Sequence, residues 1–408
     1  MSINLSDNSR KILIVGSGAA GFSAAKAARM QDPEAEIIMF GRDGRLPYYR
    51  LRLCEYIGRD VNNEELRISS DEWFKKNRIK AETASEVTKI DAENRKIYAG
   101  GREYSYDSLV LATGSTPAMP PFAGKELEGI HTLWTIEDVI GINRSLEKAK
   151  KAVVIGGGLL GLEAAYKISK TGIQVSLIEG MPRLLPKQLD DEGSEIFKSK
   201  VESLGISVFC GKSVTGFEGD ASGHVRCINM ADGASLEADT VIVSVGVRPN
   251  VELFRDTGIS MNRFVSVNEK METSVKGVYA AGDVACVNGR WFGQWSVATS
   301  QGQVAGTNAA GGNAVYKDID VPYILNTMET RVVCSGDAGV NRQDETKAEY
   351  KTERKADRER FSYSRLVFRN GVFSGYMLVG EPAKAFNRLQ PLINTASGVD
   401  KIYSIIYG

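Results

Sequence analysis

Two glycine-rich runs of the same spacing could grip a diphosphate: Gly16-Ser17-Gly18-Ala19-Ala20-Gly21 and Gly156-Gly157-Gly158-Leu159-Leu160-Gly161. In such a G-x-G-x-x-G run the first glycine permits a tight turn, the second lets backbone approach a pyrophosphate, and the third lets a helix pack closely. The helix that follows directs N–H groups and the positive end of its dipole at the phosphates. An acid roughly twenty residues further on would bind the adenosine ribose hydroxyls. Glu179 fills that place after the second run, whereas Gly41 stands there after the first and Asp43 comes two residues later. Asp43 is either the displaced ribose ligand or a solvated turn residue in "GRDGR". Gly180 and Met181 follow Glu179 without an arginine, so a 2′-phosphate would meet a carboxylate; the pattern favours NADH over NADPH, with Arg183 the nearest cation.

A third feature is the cysteine in "LPYYRLRLCEYIG", Cys54, which is either a second electron store or a small apolar filler. The five cysteines are odd in number and far apart, with no C-x-x-C and no C-x-x-x-x-C pair, which argues against a disulfide scaffold or a zinc site. Two histidines are too few for a multi-histidine metal site. Arg50 and Arg52 would lower a nearby thiol pKa and keep a reactive reading open. The default expectation is a buried, inert thiol.

Both glycine runs need a strand before them and a helix after them. "KILIV" leads into the first, "FSAAKAARM" continues it as a helix, and "EIIMF" supplies the next strand; "KAVVIGGGLLGLEAAYKISKTGIQVSLIEG" repeats the unit. "YDSLVLATGS", "DTVIVSVGVRPN" and "TSVKGVYAAGDVA" read as further strands, each ending at a glycine signal. "SVATSQGQVAGTNAA" reads as a helix whose first turn follows Trp295. From about residue 316 the pattern changes, and Asn370-Gly371 between alternating apolar runs predicts a two-residue hairpin. The run "KAEYKTERKADRER" is expected to be a solvated face. The fold class is α/β, with two Rossmann-like dinucleotide-binding domains and a small α+β C-terminal domain.

A length of 408 residues suits two or three domains. Lys plus Arg equals Asp plus Glu at 51 each, so no whole-chain basic field recommends nucleic acid or an anionic membrane. Apolar runs are too short to span a bilayer, and "MSINLSDNSRK" has no leader pattern. A soluble, cytoplasmic protein is expected.

With "GSGAAG", "ATG", "GGGLLG" and "GD" in this order, the chain resembles the two-dinucleotide-fold flavoprotein reductases of the pyridine nucleotide-disulfide reductase superfamily, over essentially its whole length. The resemblance implies a glutathione reductase-like fold with an FAD-binding domain from 1–115 and 246–315, an NAD-binding domain from 116–245, and an interface domain from 316–408. It places FAD against Gly16, Gly18, Ala19, Ala20, Gly21, Asp43, Arg50, Val87, Ala112, Thr113, Gly114, Gly282, Asp283 and Trp295. Asp283 is the implied ribityl ligand. Trp295 is an aromatic wall or backbone donor at the pyrimidine end, or else a core tryptophan. NAD is placed against Gly156, Gly158, Leu160, Gly161, Glu163, Glu179 and Gly246, with Glu163 close to the nicotinamide or else an ordinary surface glutamate of its helix. His131 matches a connector and carries no chemistry.

The dithiol branch of that superfamily carries C-x-x-x-x-C at the "PYYRLRL" stretch, and this chain does not. The single-cysteine branch places its cysteine where Leu51 stands, three residues before Cys54, or roughly 4.5 Å along an α-helix. "PYYRLRL" is similar instead to the NADH:rubredoxin oxidoreductases and to the flavin half of nitrite reductase large subunits, in which Arg50 and Arg52 would contact flavin or its phosphates; a plain surface salt bridge is the alternative. The signature "RPPLSK" of oxygenase-coupled ferredoxin reductases is absent, as is a rubredoxin or sirohaem segment, so a separate acceptor is expected. The implied activity is hydride transfer from NADH to FAD, then single electrons to a small redox protein, rubredoxin or a similar carrier. The alternatives are an NADH oxidase, peroxidase or disulfide reductase using Cys54, and an NADH-sensing interaction flavoprotein. A monomer or homodimer is expected.

Overall fold

Lys11–Val15 is an aliphatic strand buried along nearly its whole length, as a central parallel strand must be. In the computed structural model, which describes residues 9–318, 320–339 and 350–408, it pairs in parallel with Glu36–Phe40 on one side and Ser108–Leu111 on the other. The run 1–8, which includes most of the stretch read for a leader, and residues 347–349, the start of the charged run, lie outside the described residues. The sheet continues to Ile79–Glu82 beyond Glu36–Phe40 and to Val278–Ala280 beyond Ser108–Leu111. Strand order therefore reverses at Lys11–Val15, and a crevice for ligands opens at the carboxyl ends of strands at such a point.

The chain divides into two compact units, the first comprising residues 9–52, 62–116 and 247–318. In it, helix Ala19–Gln31 packs on helix Trp295–Ala309 through small residues. A Cβ on Gly302 would lie 2.2 Å from the Ala20 carbonyl oxygen, and one on Gly306 2.1 Å from that of Ala24, so only glycine allows this approach. The second helix begins at Trp295 itself, not after it, because Gln294 is the extended residue that precedes the first turn.

The second unit comprises Leu53–Val61, Pro117–Gly246 and 320–408 within the described residues. Its parallel sheet repeats the first plan: Lys151–Ile155 lies between Gln174–Glu179 and Thr240–Val243, with Ser207–Cys210 and Ile130–His131 at the edges. The segment Leu53–Val61 is held in this unit by Asn143, whose Oδ1 accepts from the Gly58 amide at 2.8 Å and whose Nδ2 donates to the carbonyls of Tyr56 and Arg59. His131 Nε2 lies 2.8 Å from the Ser145 hydroxyl, and burial pushes its pKa down.

The C-terminal part is a five-stranded antiparallel sheet in the order Tyr323–Thr327, Thr330–Gly336, Val372–Val379, Ser362–Arg369, Tyr350–Asp357. Asn370 and Gly371 join two of these strands, both with positive φ (50° and 75°), the backbone that a two-residue hairpin turn requires. One face carries Tyr363 and Arg365 to Asp190, the residue that caps helix Asp191–Ser203. The other face, with Val333, Leu366 and Leu378, is covered by apolar residues of the C-terminal helices such as Leu389 and Ile402.

Candidate dinucleotide sites

Each glycine run sits where its sheet reverses order, and each leaves its helix open. Helix Ala19–Gln31 starts from Gly18 and helix Leu159–Ser169 from Gly158; neither has a side-chain cap or an acid in the first turn. Other helices are capped by side chains, among them Ile136–Leu146 by a capping box of Thr135 and Asp138 and Asp191–Ser203 by Asp190, whereas Trp295–Ala309 and Val399–Tyr407 also start without one. A helix start without a cap leaves N–H donors for an outside acceptor. Gly16 and Gly156 both adopt φ 115°. Cβ atoms there would lie 2.0 Å from the Ala112 oxygen and 2.1 Å from that of Ser244. On Gly18 or Gly158 an added Cβ would meet no protein atom within 4 Å, so it would fill only the space a ligand needs. Both cradles thus fit a pyrophosphate.

In the first unit the structure gathers most of the residues expected at FAD. Gly21 packs on Gly16, Gly16 on Ala112, and Gly282 on Ala20. Thr113 and Gly114 are tied to Asn250, which donates to the Thr113 carbonyl at 2.9 Å and through its own amide to that of Gly114. Asp283 accepts from the Ser115 hydroxyl at 2.6 Å. Burial pushes the Asp283 carboxyl pKa up, against the pull of Ser115 and the positive charge of Arg50. A partly buried acid with one short side-chain partner among the described residues is suited to receive ligand hydroxyls. Asp43 is no solvated turn residue: it pairs with Arg50 at 3.1 Å and the two side chains are 17% and 27% exposed. Tyr48 also donates to it. Val87 is buried in a small antiparallel sheet, opposite Ala99. Trp295 is partly exposed and lies with its ring centroid 5.8 Å from that of Tyr49.

In the second unit Glu179 is fixed by two backbone donors, Gly157 N at 2.6 Å and Met181 N at 2.7 Å, which hold its carboxylate at the glycine turn. Arg183 is committed to its own loop, bonding Asp191 and the carbonyls of Pro186 and Leu189. That leaves the acid, not the cation, at the turn. Gly161 packs on Gly156, Leu160 lies in the first helical turn, and Gly246 has φ 98° with open space over its α-carbon.

Glu163, on the same helix, has a partner the sequence did not reveal. The Cys54 thiol lies within electrostatic reach of its carboxylate. Burial pushes the Glu163 pKa up, offset in part by Cys54 and Lys167. Burial also pushes the Cys54 thiol well above the ordinary cysteine range, and the Glu163 charge adds to the rise. The expectation that Arg50 and Arg52 would lower this pKa is overturned: Arg50 pairs with Asp43, and Arg52 donates to the Glu65 carbonyl. The α-helical reading of the stretch also needs correction. Arg50–Tyr56 is a 3-10 helix, in which three residues rise by roughly 6 Å. Leu51 is 64% exposed and Cys54 3%, so the two positions have opposite environments.

Sequence reasoning missed Ser115, Tyr49 and Gln301, whose buried side-chain oxygen accepts from the Gly282 amide at 2.9 Å. Ser115 closes the "ATGS" motif, but its partner is 168 residues away and no local pattern points to it. Among the described residues no group of three or more His, Cys, Asp or Glu is arranged for a metal ion, and no helix is long and apolar enough to cross a membrane.

Residues 10–302 match the family described as pyridine nucleotide-disulphide oxidoreductase. The chain is 36% identical to an NADH-rubredoxin oxidoreductase of Clostridium acetobutylicum, over 82% of this chain and 83% of the relative. It is 30% identical to a nitrite reductase [NAD(P)H] of Bacillus subtilis, over 97% of this chain but 48% of that longer protein. A solved NAD-dependent persulfide reductase from A. fulgidus superposes with a TM-score of 0.87 at 30% identity, covering 96% of this chain and 78% of that one. The cofactors are FAD and NADH, and two glycine cradles, a partly buried acid in one unit and a fixed acid in the other agree with them. The chain belongs to the pyridine nucleotide-disulphide oxidoreductase family, as an NADH-dependent flavoprotein oxidoreductase.

Proposed function

We propose that this protein takes two electrons from NADH and delivers them one at a time to a small redox protein, rubredoxin or a carrier like it. When bound, FAD accepts hydride from NADH and gives its electrons on singly. The sum balances as NADH plus two oxidised carriers giving NAD⁺, a proton and two reduced carriers. Gly16, Gly18 and Gly21, with the open start of helix Ala19–Gln31, receive the FAD diphosphate on this reading, and Asp283 its ribityl hydroxyls. Arg50 steadies Asp43 and offsets the Asp283 charge. Gly156, Gly158 and Gly161 receive the NADH diphosphate and Glu179 the adenosine ribose. The 1–115, 116–245, 246–315 and 316–408 division follows the same assignment, with a monomer or homodimer working in the cytoplasm.

The observation that carries the reading is the setting of Cys54: 3% exposed, beside the Glu163 carboxylate and with its pKa raised by that burial, it is poorly placed to form the thiolate that redox chemistry needs. Flavin is then the one electron store. Anaerobic titration with NADH tests this, followed through the oxidised-flavin absorbance. Bleaching complete at one NADH per FAD supports it; a requirement for two overturns it and brings forward the thiol-based reading, which likeness to the persulfide reductase favours. Reduction of rubredoxin by the NADH-treated protein then tests the acceptor, and a rate no faster than with free flavin rejects it.

A further inference from the structure

Away from the glycine turns, the second unit holds a cleft of about 1020 Å³, large for a small-molecule site. It opens where the C-terminal sheet meets the ends of its covering helices. Five cations line it, Lys200, Arg331, Lys355, Arg360 and Lys384, against three carboxylates. Each carboxylate is already taken: Glu329 by Lys200 and Lys170, Asp357 by Arg360, Glu381 by Lys384. Arg331 and Lys355 have no carboxylate partner among the described residues. The Lys355 ammonium lies 3.9 Å from the centroid of the Tyr407 ring, and the Arg331 guanidinium 5.8 Å from that of Phe386. Arg331 Nε is shielded from solvent and has no hydrogen-bond partner among the described residues.

Sheet register places both cations on one face. Arg331 accepts from Gly380 through its carbonyl, Val333 stands opposite Leu378, Leu378 opposite Ser364, and Ser364 opposite Lys355. Arg331 and Lys355 are thus two rows apart along the strands, which restores the same face, and three strands apart across the sheet, roughly 14 Å at the usual strand spacing. Two long side chains reaching inward from such positions suit one ligand with separated negative charges. A guanidinium fork suits phosphate oxygens.

We propose that this cleft is a ligand site distinct from both dinucleotide cradles, and that it takes a small phosphate-bearing polyanion held between Arg331 and Lys355. The net surplus of two positive charges on its walls attracts such a ligand, and the Tyr407 and Phe361 rings supply apolar walls beside the charges.

The test is calorimetric titration of the FAD-loaded protein, saturated with NAD⁺ so that both cradles are filled, with inorganic tripolyphosphate as the probe. One equivalent should bind, and inorganic phosphate, which reaches one cation only, should bind at least tenfold more weakly. Arg331→Gln and Lys355→Gln should each weaken tripolyphosphate at least tenfold, while Lys198→Gln, outside the cleft, should leave it unchanged. Lys355 is a surface residue, so the second variant keeps the test valid if the first folds poorly. No binding by the parent protein, or binding that neither substitution weakens, overturns the proposal. Tighter binding of citrate than of tripolyphosphate overturns the phosphate assignment.

Discussion

Cys54 is a buried thiol beside the partly buried Glu163 carboxylate, and its effect on stability has a definite sign. The folded thiol is held well above the ordinary cysteine pKa, first by burial and then by Glu163. The unfolded thiol loses its proton near about pH 8.5. Between those values the unfolded state binds fewer protons than the folded one, so stability present below pH 8.5 falls as pH rises, by about 1.4 kcal/mol per pH unit for this one group. Urea unfolding of the parent and of Cys54→Ala at pH 8, 9 and 10 should show the shallower decline in the variant; parallel declines would remove the buried-thiol account. The same burial protects the sulfur, and iodoacetamide at pH 8 should label Cys54 only after denaturation, as read by mass spectrometry. Asp283 offers a second check at this scale. Its replacement by alanine should yield protein with less than a tenth of the parent FAD content, and full retention would reject its assigned role.

At the scale of elements, the two glycine runs separate folding from binding. Gly156 adopts φ 115° and a Cβ there would overlap the Ser244 oxygen at 2.1 Å, so Gly156→Ala carries backbone strain of about 1–3 kcal/mol plus that overlap. Gly158 lies in extended backbone with nothing near its α-carbon. Gly158→Ala should therefore melt with the parent protein while its KM for NADH rises severalfold, whereas Gly156→Ala should lower the melting temperature. Equal melting of all three proteins would contradict the geometry. Elements of this kind are readable from sequence because their requirements are local: a strand, a turn with a positive φ, a helix start. The Asn370-Gly371 hairpin was legible for the same reason. The helical reading of "PYYRLRL" missed the 3-10 form because apolar spacing does not separate three residues per turn from 3.6 over seven residues. Pairing of Cys54 with Glu163, 109 positions away, and of Ser115 with Asp283 depends on how elements meet, which no spacing encodes.

At the scale of the molecule, every residue assigned to FAD lies in one unit and every residue assigned to NADH in the other. Damage to one cofactor's unit should then be separable from the other's. Asp190 is the place to test this, because it ties the C-terminal sheet to the NADH part of its own unit. Its carboxylate caps Gly193 at 2.9 Å and accepts from Tyr363 at 2.7 Å and Arg365 at 2.9 Å; the Asp190 and Arg365 side chains are each 13% exposed. Removing one partner of a buried pair leaves the other charge uncompensated and costs about 3–5 kcal/mol. Asp190→Ala should lower the urea midpoint accordingly and weaken NADH reduction of the flavin, yet the native variant should keep the parent ratio of flavin to protein. Loss of FAD in step with loss of the urea midpoint would mean that the two units do not hold their cofactors independently, and the division of the chain into an FAD unit and an NADH unit would have to be abandoned as a description of how it binds.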